Sequence, residues 1–273
     1  MRFSQQRRLG LGLFFVLSVA IVWLHRRYAG EVGHMSYLTG WALCGVILLL
    51  TLYNGRKKLP FLPLMSSESW LQFHIYAGLL TGVLFAVHVS YKIPTGWFQG
   101  MLAWLYLLVM ASGLVGLFLS RVIPKRLTTR GNEVMFERIP SIRVQLRAQT
   151  EKLALQSVSQ LKSGTIADFY WRELSGFFAG ARNLPGHLLE ARGPLNQLLA
   201  RINEISRYLN EQERAIMEEI AGLVRQKDDL DYHHVHQLLL KIWLFVHIPL
   251  TYSLLLFILV HVVLVFAFFG GAP

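Results

Sequence analysis

The sequence predicts an all-α polytopic membrane protein, with five membrane-spanning helices, a four-helix core among them and a helical cytoplasmic insert before the last span. Two observations lead there. The 273-residue chain is 53% hydrophobic and only 16% charged, well below the charge content of an ordinary soluble domain. Its apolar stretches are long enough to cross a hydrocarbon core of about 30 Å, whereas residues 124–238 switch to charged segments with apolar positions at helical spacing.

The spans are expected at 9–24, 35–53, 70–91, 101–120 and 239–269. The first four hold no Asp, Glu, Lys or Arg, and the fifth holds only Lys241 at its entrance. Arg2, Arg7 and Arg8 ahead of an apolar run resemble the start of a signal peptide, but no small-residue cleavage site closes it, so a retained anchor is expected. The domain boundaries follow: 1–34 an anchor helix and loop, 35–123 helices two to four, 124–238 the insert, and 239–273 the final span.

The net charge of +11 is a distractor for nucleic-acid binding. Residues 124–238 carry sixteen Lys and Arg against fourteen Asp and Glu, so most of the excess sits at the termini and in the loops flanking the spans. There basic residues set orientation. Arg2, Arg7, Arg8, then Arg56, Lys57, Lys58, then Arg121, Lys125, Arg126 and Arg130 all fall on one side, against Arg26, Arg27 and Lys92 on the other. This places the N-terminus and the insert in the cytoplasm of an inner (plasma) membrane of bacterial type.

Within the insert, helices are expected at 142–162, 166–180, 187–209 and from 211 into the last span, with breaks at Gly164, Pro185 and Gly186. Leu195, Leu198, Leu199, Ile202, Ile205 and Leu209 mark one apolar face. There is no strand alternation, phosphate loop or dinucleotide fingerprint, so the insert reads as a docking module for a cytoplasmic partner.

Chemistry enters with four histidines. His74 and His88 lie in the third span and His247 and His261 in the fifth, each pair fourteen residues apart. On an α-helix that spacing turns about 1400°, roughly 40° short of four turns, and rises ~21 Å. Each pair therefore shares a helix face, with its members near opposite leaflets. An ionisable residue in a membrane span is a functional hypothesis by default. Zinc needs about four protein ligands, and these spans offer no carboxylate and no thiol but Cys44. Haem brings four equatorial nitrogens of its own, and two imidazoles complete a low-spin b-type iron. The third and fifth spans run in the same direction, so His74 should face His247 and His88 should face His261, holding two haem b groups stacked across the bilayer.

Other residues have two readings each. Gly78 and Gly82, and Gly113 and Gly116, suit either a flat macrocycle or close helix packing. Pro249 offers a kink near His247. Lys57, Lys58, Arg121, Lys241 and Lys92 are available to propionates, though interface charge is the plainer reading. Trp70, Trp104 and Trp243 read first as interface or packing aromatics. Tyr232, His233, His234 and His236 read as surface polarity at a helix entrance rather than as a metal site. Cys44 reads as a small hydrophobe and, being the single cysteine, leaves no disulfide, c-type haem motif or iron–sulfur cluster.

The doubled H-x13-H, His74 to His88 and His247 to His261, resembles the di-haem membrane cytochromes b, a class that includes respiratory cytochrome b and the transmembrane domains of ferric reductases and NADPH oxidases. The resemblance implies that these four histidines are axial ligands within a four-helix haem-binding core of spans two to five, with the first span peripheral. Two features depart from it: ferric-reductase-like enzymes carry a sixth span and a flavin and nicotinamide domain, and the long insert is typical of neither group. The expected function is electron transfer across the membrane between a quinone or cytoplasmic donor and an external acceptor such as a cytochrome c or another redox subunit. The alternative is a self-sufficient metalloreductase or quinol oxidoreductase. A transporter or scaffold is disfavoured by the lack of intramembrane carboxylates or lysines.

Overall fold

The computed structural model describes residues 3–28, 35–56, 67–130 and 134–269. Helix is the one regular structure among these residues, without a strand. In chain order the helices are α1 (Phe3–Tyr28), α2 (Met35–Arg56), α3 (Ser67–His88), α4 (Trp97–Leu127), α5 (Ile139–Leu161), α6 (Thr165–Phe169), α7 (Ser175–Ala179), α8 (Leu184–Leu188), α9 (Gly193–Ser206) and α10 (Glu211–Phe269). Five of them, α1 to α4 and α10, are long and apolar enough to cross a membrane. The chain divides into two compact units, one of Met1–Leu117 with Trp243–Pro273 and one of Phe118–Ile242.

The first unit is built on Leu43 and Ile47 of α2, Leu84 of α3, Tyr106 of α4 and Leu254 of α10, with Ile21 of α1 at its edge. Phe85 and Tyr106 stack at 4.2 Å. The Tyr106 hydroxyl donates to Thr81 Oγ1 (3.0 Å) and Thr81 donates to the Gly78 carbonyl (2.6 Å), so these polar groups are satisfied inside an apolar core. At most 17% of any span's apolar window is buried by the protein itself. Phe15, Val19, Trp41, Leu108, Phe245 and Leu256 all face outward. Each such side chain would cost about 1.5–3 kcal/mol to leave in water, so a lipid surround is the medium that suits them.

Four spans end differently from expectation, α1 running on to Tyr28 rather than 24 and α2 to Arg56 rather than 53. α3 stops at His88 rather than near 91, because Ser90 and Tyr91 turn left-handed (φ 51° and 56°) and the Tyr91 N–H caps back onto the Ala86 carbonyl (2.9 Å). α4 runs through Pro124 to Leu127, since a proline close to a helix end removes one hydrogen bond without stopping the helix.

In the second unit α5 presents Ile139, Leu146 and Ala154 inward, and its buried Thr150 and Ser157 return their hydroxyls to the Leu146 and Ala154 carbonyls (2.8 and 2.7 Å). These meet Ile166, Tyr170, Leu174, Phe178, Ile202, Met217, Ile220 and Val224 in one core. Between α6 and α7 the helix widens to a π turn over Tyr170–Leu174. α10 opens on a reciprocal cap: the Glu213 N–H donates to Asn210 Oδ1 (2.9 Å) and the Asn210 N–H to Glu213 Oε2 (3.0 Å), with Asn in the place usually held by Ser or Thr.

The insert's breaks are also corrected. Pro185 and Gly186 lie inside α8, where proline suits a first helical turn. The break before it falls at left-handed Asn183 (φ 56°). The expected helix 187–209 is cut in two, because the chain turns left-handed at Glu190 (φ 57°) after α8, and α9 starts afresh at Gly193 with Pro194 in its first turn.

Candidate functional site

The structure brings His88 and His261 together. Their ring centroids are 6.5 Å apart with planes at 88°. His88 reaches this position over Gly40 of α2, where a Cβ would stand 2.9 Å from its Cε1. Its Nδ1 lies 3.1 Å from the Ser36 carbonyl and 3.5 Å from Thr39 Oγ1. A carbonyl only accepts, so Nδ1 carries the proton and Nε2 the lone pair. His261 stacks on Phe98 (6.5 Å, 21°), which stacks on Phe257 (5.9 Å, 8°). Both histidines line a cavity of about 340 Å³ walled chiefly by apolar side chains of α2, α3, α4 and α10, including Ile47, Phe85 and Leu254. Cys44 is in that wall as well.

The second pair is held by other means. His74 and His247 are close enough to influence one another electrostatically. His247 Nδ1 is 3.2 Å from Ser112 Oγ on α4, and its ring stacks on Trp243 (5.4 Å, 24°). The Trp243 indole N–H donates to the Ser112 carbonyl (2.8 Å). Thr251 donates to the His247 carbonyl (2.8 Å) two residues beyond Pro249.

The glycines now separate. A Cβ at Gly82 would stand 3.0 Å from Met110 Cε, so its absence serves helix packing; Gly78 has open space where a side chain would be. A Cβ at Gly113 would stand 3.8 Å from His247 Cε1, in ordinary contact, and a Cβ at Gly116 would overlap the Trp243 ring. Trp243, expected as an interface or packing aromatic, packs on α4 and against His247.

The His88–His261 pair has the spacing of two imidazoles that share a metal. Metal–imidazole bonds of about 2 Å, with each ring centre about 1 Å farther out, set the centroids of two trans imidazoles about 6 Å apart. The His88–His261 spacing is close to that. Among the described residues no group of three or more His, Cys, Asp or Glu converges as an all-protein metal site would. The cavity falls within the range of cofactor pockets, roughly 300–1,000 Å³. Of the cations considered for propionates, Lys241 is engaged by Glu137 (2.8 Å) and lies over Phe136 (3.8 Å), while Lys57 and Lys58 lie outside the described residues.

The second unit holds a feature that contradicts expectation. Tyr232, His233 and His236 are buried, not surface polar groups, and with them His187, Lys227, Asp228 and Asp231. Lys227 pairs with Asp231, which also accepts from Arg143 (3.3 Å) and from the Arg182 N–H (2.9 Å). Lys227 donates to the Gly180 carbonyl as well (2.8 Å). Asp228 faces His187 at 3.6 Å and Arg130 at 4.0 Å, and the Arg130 guanidinium lies 4.2 Å over the Tyr232 ring. Burial, only partly offset by Arg130, pushes the Asp228 carboxyl up to about 6. Burial likewise holds His187 and His236 below the usual imidazole value, so both lean toward the neutral form.

The chain matches no protein-family model, no curated protein and no solved structure.

Proposed function

We propose that the chain is a di-haem b-type cytochrome, in which His88 and His261 hold one haem b and His74 and His247 the other. The observation that carries this reading is the pair of half-buried imidazoles, 6.5 Å apart centre to centre, facing a shared cavity of about 340 Å³. When bound, haem supplies a one-electron centre at each level of the membrane. The protein's own part is to hold the imidazoles in one tautomer and exclude water. Ser36 and Ser112 meet the Nδ1 atoms, and the apolar wall of α2, α3, α4 and α10 does the excluding.

With ligand levels ~21 Å apart along each helix, the function that fits is electron transfer across the bilayer, between a quinone or cytoplasmic donor and an external redox protein such as a cytochrome c. The orientation consistent with the basic flanks puts the N-terminus and the insert in the cytoplasm of a bacterial inner membrane, where residues 124–238 offer a helical surface to a partner.

The test is haem content by pyridine haemochrome on purified protein, comparing the wild type with His88→Ala and His247→Ala. Two b haems per chain, with about one lost per substitution, is the expected result. A well-folded wild type that takes up no haem overturns the reading.

A further inference from the structure

The two histidine pairs are not held alike, and the difference lies in Ser112. This serine makes two contacts with α10 inside the membrane unit. Its carbonyl accepts the Trp243 indole N–H (2.8 Å), and its hydroxyl lies 3.2 Å from His247 Nδ1. Trp243 stands one helical turn before His247, on the same helix face. A stack of i and i+4 side chains is loose unless something fixes one of the rings. Here two things fix the indole: the Ser112 carbonyl holds its edge, and Gly116 gives its face a seat that any Cβ would fill. The imidazole plane, 24° from the indole plane, is set in consequence.

We propose that Ser112 and Trp243 are positioning residues for His247, fixing its ring plane and Nδ1–H tautomer, and thereby tune the reduction potential of the haem at the His74–His247 level alone. The proposal rests on the di-haem reading above. At the other level the corresponding acceptor is the Ser36 backbone carbonyl (3.1 Å), which no side-chain substitution removes. A hydrogen bond from the distal ring N–H makes an imidazole a more basic, more electron-donating ligand, which favours the ferric iron. Losing the Ser112 hydroxyl therefore raises the potential of one haem and leaves the other where it was. Packing alone would not produce this: a serine that merely filled space would be replaceable by alanine without a change at the iron.

The experiment is a spectroelectrochemical titration of the full chain in membranes. The variants are Ser112→Ala, Ser112→Thr and Trp243→Phe, with haemochrome stoichiometry measured on the same preparations. For Ser112→Ala we expect two haems per chain and one of the two midpoint potentials raised. A shift of about tenfold in its ferric–ferrous equilibrium, at the low end of second-shell effects, is ~59 mV for one electron. Ser112→Thr, which keeps the hydroxyl, should restore the wild-type value. Trp243→Phe, which keeps a ring but loses the N–H, should broaden or shift the low-spin ferric signal of the same haem. Two haems with both potentials unmoved, or with both moved equally, overturns the role of Ser112. Absence of haem from folded wild type overturns instead the reading on which that role rests.

Discussion

Asp228→Asn is expected to stabilise the second unit at alkaline pH. The wild-type carboxyl is buried, and its pKa is pushed from 3.8 up to about 6. A folded-state pKa above the unfolded one means that the native state prefers the protonated acid. The stability linked to that proton is complete below about pH 4 and lost as pH rises through about 6. Roughly two pKa units at 1.36 kcal/mol each amount to a penalty of about 3 kcal/mol at pH 8. Asparagine keeps the shape of the neutral acid and never ionises. Its advantage is reduced by the weakened contacts to Arg130 (4.0 Å) and His187 (3.6 Å), which leaves a net gain of about 1–2 kcal/mol at pH 8. The assay is amide hydrogen exchange of the peptides covering 213–235 in the full chain, at pH 5 and pH 8. Added protection in the variant at pH 8, shrinking toward pH 5, is the expected result. Equal loss of protection at both pH values would refute the reasoning, because it would mean that the site binds the charge rather than tolerating it.

Three further outcomes follow from contacts already described. Gly40→Ala drives a Cβ to 2.9 Å from His88 Cε1 and should lower the haemochrome count from two per chain to about one, with the His74–His247 level retained. Tyr106→Phe keeps the stack on Phe85 but leaves the buried Thr81 hydroxyl without its donor, at a cost of about 1–2 kcal/mol readable in thermal denaturation in detergent. Lys227→Met removes one partner of buried Asp231 and should cost about 3–5 kcal/mol. The readout is resistance to limited proteolysis, and adding Asp231→Leu should lower it further, because Arg143 and the Arg182 N–H also depend on that carboxylate.

The apolar runs made the five long helices legible, because span length and lack of charge are local properties. The histidine spacing was equally legible, since fourteen residues stay on one face whatever surrounds the helix. What lay hidden was tertiary. Nothing local marks Ser112 as the residue facing His247, and the sequence leaves Trp243 open between interface and packing until Gly116 is seen to seat it. The buried polar cluster was misread for a different reason. Met217, Ile220, Ala221 and Val224 define the core-facing stripe of α10, and Lys227, Asp228, Asp231, Tyr232 and Val235 continue it at the same period. Following the helical period rather than hydrophobicity would have placed them inside. The split between α8 and α9 lies in the polar stretch Glu190 to Arg192, just before the apolar face of Leu195 to Leu209 begins.

One consequence of the histidine geometry concerns assembly. The same two helices, α3 and α10, contribute to both histidine pairs, so the upper and lower contacts share a single axial alignment. A slip of α10 along α3 by even one residue, ~1.5 Å of rise and about 100° of rotation, takes His247 away from His74 and His261 away from His88 in the same movement. Neither level has an adjustment of its own. Whatever first clamps one pair therefore acts as a gauge for the other, so that the second site is aligned before anything occupies it.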